Sequence, residues 1–167
     1  MKKGSPMVGY MSLEEQVDKD FRLARRKALL RRIGARLRRR NAASDGLLCF
    51  DDVREIPGAV GRIHRGLRTV PVAQIGGSVG GCSEFDGDFM PARASVKERW
   101  KRIDRAFYRG EELPPVSRYK VGSFYFVLDG HHRVSVACYH GVEWIDAEVT
   151  EFGAGVRSNP TRDRETA

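Results

Sequence analysis

Cysteine is scarce: three in 167 residues, at Cys49, Cys82 and Cys138, with no Cys-x-x-Cys. An odd number of widely spaced cysteines gives no disulfide framework and no structural zinc motif, so neither is expected. Histidine is nearly as rare, four in all. His64, His131, His132 and His140 form no His-x-x-x-His or His-Glu-x-x-His pattern, and no metal site is expected. No apolar run reaches the roughly 18 residues of a membrane span. The start, Met1-Lys2-Lys3-Gly4-Ser5-Pro6, has no apolar stretch behind its lysines and is not a signal peptide. These absences predict a cytoplasmic chain with no membrane partner. The 41% hydrophobic and 31% charged residues exclude wholesale disorder, and the length suits one ordinary domain with a helical appendage.

Acidic residues are missing from one place in particular. Residues 21–40 hold ten Lys/Arg and no Asp or Glu, whereas residues 1–20 sum to −1; of the net +8, the other 127 residues contribute −1. The basic pI of 9.8 therefore describes one segment. That segment reads as a helix. Ser12 and Glu15 make a capping box, and Asp18 and Asp20 keep negative charge in the early turns. Leu13, Val17, Phe21, Ala24 and Ala28 hold one apolar face, which then drifts to Leu29, Ile33 and Leu37. Arg25, Arg26, Lys27, Arg31, Arg32, Arg36, Arg38, Arg39 and Arg40 are the candidate contacts for DNA or another polyanion, since each phosphate contact releases counterions. The bland alternative is a solvated helix whose arginine stems cover apolar surface.

The chain divides into a disordered start (1–11), the basic helix and its linker (12–46), a short helix with a connecting loop (47–68), a main domain (69–152) and a disordered tail (153–167). The short helix is stopped at Ile56-Pro57, and residues 58–68 read as loop. In the main domain, Val70–Ile75 reads as a strand and Gly76 to Gly81 (GGSVGG) as a flexible loop. Ser95 to Tyr108 reads as a helix with Trp100 in the core and Gly110 as its stop. Val116–Val121 and Phe124–Leu128 form a hairpin through Gly122-Ser123. A helix over 131–140 stops at Gly141, and Ile145, Ala147 and Val149 alternate in a last strand. The fold class is α+β.

The segment FVLDGHHRVSVA places Gly130 where a buried strand meets the first turn of a helix. Free backbone N–H groups and the positive end of the helix dipole make an anion site there. Gly130 allows close backbone approach, Arg133 offers a forked contact, and His131 and His132 can donate further hydrogen bonds, favoured in the imidazolium form. Ser78, in the glycine-rich loop, is a candidate hydroxyl contact. The structural alternative is that Asp129 caps the helix, Gly130 makes the turn and the polar residues face water.

Leu113-Pro114-Pro115-Val116, the run YKVGSFYFVLDGHHRVSVA and the His140-Gly141 helix end carry a resemblance. Over residues 70–152 the chain resembles the ParB/sulfiredoxin superfamily. The resemblance implies a small mixed sheet with a strand–glycine turn–helix phosphate site, preceded here by the basic helix. ParB proteins carry Gly-Glu-Arg-Arg at this turn and bind CTP; sulfiredoxins carry Gly-Cys-His-Arg and use the cysteine with ATP to reduce a sulfinic acid. Here the turn is Gly130-His131-His132-Arg133. His131 stands at the nucleophile position, so that reductase chemistry is not expected. No helix-turn-helix follows residue 152, so clamp-type partitioning is not expected either.

The resulting expectation is a ParB-like module that binds a nucleoside triphosphate, CTP or ATP, through Gly130, His131, His132, Arg133 and Ser78, and meets DNA through the basic helix. The alternative is a small Mg²⁺-dependent phosphotransfer enzyme, a kinase, nucleotide hydrolase or nuclease, with Asp129 as base or metal ligand and Glu84 or Glu98 as a second carboxylate. A third class is a domain whose turn binds nothing and whose helix docks an acidic protein. The sequence gives no oligomeric state.

Overall fold

The computed structural model describes residues 11–37, 47–50 and 59–154. The expectations for residues 1–10, for the linker 41–46, for most of the short helix after Leu47 and for the tail beyond 154 lie outside them.

Helix α1 spans Leu13–Leu37. Its capping box is formed: the Ser12 N–H donates to Glu15 Oε2 (2.8 Å) and the Glu15 N–H to Ser12 Oγ (3.3 Å). Val17, Phe21, Ala24 and Ala28 are buried as their spacing requires. Asp20 shares that buried stripe. Burial alone would raise its pKa, but the Tyr108 and Tyr139 hydroxyls, each donating at 2.7 Å, and the Gln16 amide outweigh burial and hold it below the ordinary value. Burial and the Asp20 carboxylate in turn push the Tyr108 hydroxyl up to about 12. Glu14 with Arg105 and Asp18 with Lys101 and Lys97 add ion pairs along the same seam. These lie nearer the surface and contribute less than the buried hydrogen bonds.

The sheet contains β1 (Leu48–Cys49), β2 (Ala59–Pro71), β3 (Ile75–Ser78), β4 (Val116–Val121), β5 (Phe124–Asp129) and β6 (Trp144–Ala154) in the order β1-β3-β5-β4-β6-β2. It is mixed: β1–β3, β3–β5 and β4–β6 are parallel, β4–β5 and β2–β6 antiparallel. Helices α2 (Lys97–Tyr108) and α3 (His131–His140) join α1 over one face. The core lies between them, with Phe21 and Ala24 of α1, Trp100 of α2 and Val134 of α3 against Val116, Tyr125, Val127 and Val149 of the sheet. The Trp100 indole N–H donates to Ser135 Oγ at 2.8 Å, so its one polar atom is satisfied. Alternation along β5 sends Phe126 to the opposite face, where its ring and those of Tyr119 and Phe152 gather round Phe50 at 5.2–5.5 Å.

Three expectations change. Of the expected loop over 58–68, the described residues 59–68 are not a loop but most of β2, an edge strand paired with β6. Its bulges at Ala59/Arg62 and His64/Gly66 and its exposure leave no apolar alternation to read. The strand expected over Val70–Ile75 is split by a 3-10 turn at Val72–Gln74, and Gly76, Gly77 and Ser78 of the expected loop belong to β3. Cys49 and Cys82 form a disulfide, with Cα atoms 5.9 Å apart. The parallel register that sets Cys49 opposite Ser78 brings the two together, and no spacing in the sequence signals it.

A Cβ on Gly77 would stand 2.5 Å from the Leu48 carbonyl oxygen and from the Phe126 ring. Gly77→Ala is therefore expected to lower the unfolding free energy by about 1–3 kcal/mol, read as a lower urea midpoint at unchanged m-value. A wild-type midpoint would show that β1 does not pack against β3 in solution.

Candidate nucleic-acid interface and phosphate turn

A helix turns about 100° per residue, so Arg22, Arg25, Arg26, Arg32 and Arg36 form one stripe about 120° wide, beside the buried face of α1. All five line a groove of about 800 Å³ between α1 and the loop before α2, with Phe21, Ala28 and Phe85 in its floor. Lys97, from the start of α2, closes the far side, and sequence reasoning had not marked it. Arg31 also borders the groove and pairs with Asp86 at 3.7 Å and with Asp88. It is the only arginine of α1 in an ion pair among the described residues. Lys27 points elsewhere, with its ammonium over the Tyr139 ring at 4.9 Å. Arg38, Arg39 and Arg40 lie outside the described residues.

The turn between β5 and α3 is built differently from the expectation. Gly130 has φ 96°, in the left-handed region, and leads directly into α3. Its missing side chain is explained by packing: a Cβ would stand 2.6 Å from Val116 Cγ1 and 2.9 Å from Arg133 Nη2. The Arg133 fork is engaged within the chain. Nη1 donates to the Pro114 and Pro115 carbonyls and Nη2 to Asp129 Oδ2 (2.6 Å). Arg133 thus ties the Pro-Pro entry of β4 to the end of β5.

Ser78 is fully buried, and its Oγ shares a 2.5 Å hydrogen bond with His131 Nε2. It is not placed as an open hydroxyl contact. His131 stacks against Phe85 at 6.4 Å between ring centroids, and His132 meets the same ring edge-on at 5.4 Å. Burial pushes both imidazoles below the usual histidine value, against the opposing pull of Glu84 on each and of Asp129 on His131. Burial thus favours the neutral forms of both rings. His132 Nδ1 is buried with no hydrogen-bond partner. Asp129 is exposed and bound to Arg133, and Trp100 is core, as expected.

The turn brings together Gly130, His131, His132, Arg133, Asp129 and Ser78; the arginine groove on α1 adjoins it through Phe85, which lines the groove and packs on both histidines. No family model and no curated protein matches the chain. Among solved structures, sulfiredoxin from Arabidopsis thaliana is similar to it over 50% of this chain and 82% of that one, at 16% identity and a TM-score of 0.37. A likeness so distant brings no activity with it. The described residues form a mixed sheet with helices, and no helix among them is long and apolar enough to cross a membrane.

The half-buried histidines set a pH dependence. Unfolded imidazole titrates near 6.5, and both folded values lie below it. Between the two, the unfolded chain binds more protons, so their contribution is complete above about pH 6.5 and is lost as pH falls through the folded values. The slope of Tm against pH below about 6.5 should be shallower in the His131→Asn, His132→Gln double variant than in the wild type. Equal slopes would contradict the assignment.

Proposed function

We propose that this protein is a nucleic-acid-binding module that holds the phosphate backbone of a duplex along the groove of α1. The observation that carries this reading is the stripe of Arg22, Arg25, Arg26, Arg32 and Arg36, unpaired with any carboxylate among the described residues and facing one groove. From Arg22 to Arg36 the helix rises about 21 Å, a length of duplex axis that carries about 12 phosphate charges. Contacts of this kind give affinity without sequence preference, because they reach the backbone and not the base edges.

A second reading is a nucleoside triphosphate, CTP or ATP with Mg²⁺, at the start of α3. It is favoured by the orphaned His132 Nδ1 beside a helix N-terminus that no side chain of its capping residue closes. Asp129 is the available carboxylate for Mg²⁺ or for base chemistry. Arg133→Ala is a poor probe of this site, since it also frees the Pro114-Pro115 segment; His132→Ala is the better one.

Both readings are tested on the full chain. With a labelled duplex, about five phosphate contacts predict a slope of log K against log salt near −4.5, or about 500-fold weaker binding between 50 and 200 mM. Replacing Arg25, Arg26, Arg32 and Arg36 by Gln should reduce the slope to about −1. An unchanged slope would place the nucleic acid elsewhere, and no binding by wild type would reject the reading. Titration of CTP and ATP into the same proteins separates the second reading: it requires binding that the arginine changes spare and His132→Ala removes.

A further inference from the structure

Three helices converge on a polar spot that belongs neither to the arginine groove nor to the glycine turn. Asp20 from α1, Asp104 from α2 and His140 from α3 each present one donor atom, all within 4.8 Å of one another. Asp20 is 3% exposed and Asp104 is fully buried. Asp104 Oδ1 lies 2.6 Å from His140 Nε2, whereas its Oδ2 is sealed from solvent and has no hydrogen-bond partner. The nearby Lys101 pairs with Asp18 instead, and neither buried carboxylate has a lysine or arginine partner among the described residues. When both buried carboxylates are ionised, one imidazole cannot balance them, and a buried charge must be compensated.

We propose that Asp20, Asp104 and His140 bind a divalent first-row transition-metal ion. Two carboxylate oxygens and one imidazole nitrogen, with no thiolate, are a donor set for Zn²⁺ or Mn²⁺. A dication neutralises both carboxylates and gives the orphaned Asp104 Oδ2 a ligand. Donors at about 2.1 Å from one tetrahedral ion stand about 3.4 Å from each other, within reach of small side-chain rotations from the observed spacing. The His140 ring is held for this role. Phe107 stacks on it at 4.2 Å, and Tyr108 and Tyr139 close on it edge-on at 5.4 and 5.0 Å.

The surroundings of Asp20 supply outer-shell support. Tyr108 and Tyr139 donate to its two oxygens and fix the plane of the carboxylate, as second-shell donors do in metal sites. The Gln16 amide reaches both oxygens, at 3.0 and 3.1 Å; the ion displaces this contact and the His140 Nε2–Asp104 Oδ1 hydrogen bond. His140 would ligate through the Nε2 lone pair of the neutral imidazole. The ion joins α1 to α2 and α3. The proposal is independent of what the arginine groove binds.

The test uses the full chain, stripped with EDTA, dialysed, and titrated calorimetrically with ZnCl2 and separately with MnCl2. Saturation at one ion per chain is expected, with Tm raised by about 5–10 °C at a hundredfold excess over Kd. Asp104→Asn, which keeps shape, and His140→Gln should each weaken binding at least about 10-fold while retaining the wild-type circular dichroism. The proposal is overturned if wild type takes up neither ion stoichiometrically, if uptake leaves Tm unmoved, or if both variants bind as wild type does. Should a variant not fold, the wild-type stoichiometry and Tm shift decide the matter.

Discussion

The presentation of α1 depends on one buried carboxylate. Asp20 sits on an apolar stripe with Val17, Phe21, Ala24 and Ala28, whose non-directional contacts by themselves tolerate a small roll of the helix. Hydrogen bonds do not allow it. A desolvated carboxylate is tolerated only where donors meet it, and the donors are the Tyr108 hydroxyl at the end of α2 and the Tyr139 hydroxyl on α3. Turning α1 by one residue would move Asp20 about 100° from both. The azimuth of the helix is thereby set, and with it the direction in which Arg22, Arg25, Arg26, Arg32 and Arg36 face.

The glycine turn serves the fold before any ligand. Gly130 is required because Val116 occupies the space of its side chain, and Arg133 binds the Pro114-Pro115 carbonyls that lead into β4. The turn therefore locks two neighbouring strands at their ends and starts α3, which carries Val134 and Ala137 into the core and Tyr139 to Asp20. Placement of α3 and placement of α1 are consecutive links of one chain of contacts.

Elements whose burial is periodic were legible in the sequence. The capping box and apolar face of α1, the β4–β5 hairpin, α3 with its Gly141 stop and the alternation of Ile145, Ala147 and Val149 all follow from spacing that one buried face imposes. What escaped has no local signal. β2 is an edge strand with bulges, so its pairing partner β6, not its own pattern, makes it a strand. Cys49 and Cys82 meet only through the register of β1 on β3. The motif residues were found, but their partners were not: nothing in the spelling of Gly-His-His-Arg says that Arg133 turns back to two proline carbonyls or that Phe85 packs against both histidines. Asp20 did leave a trace, a carboxylate at the i+3 position from Val17 on an otherwise apolar stripe. The early-turn charge assigned to it from the sequence overlooked that this position on the stripe is core, where a carboxylate needs a buried polar contact.

The central claim is that α1 is a fixed part of the domain and presents its arginines from a set orientation. Hydrogen–deuterium exchange of the backbone amides, with and without a short duplex, tests it most directly. The account predicts that amides of residues 17–28 in the free protein exchange as slowly as those of α2, and that duplex adds protection along the groove, in α1 and the loop before α2. Fast exchange through α1 in the free protein, at the rate of an undocked helix, would contradict it.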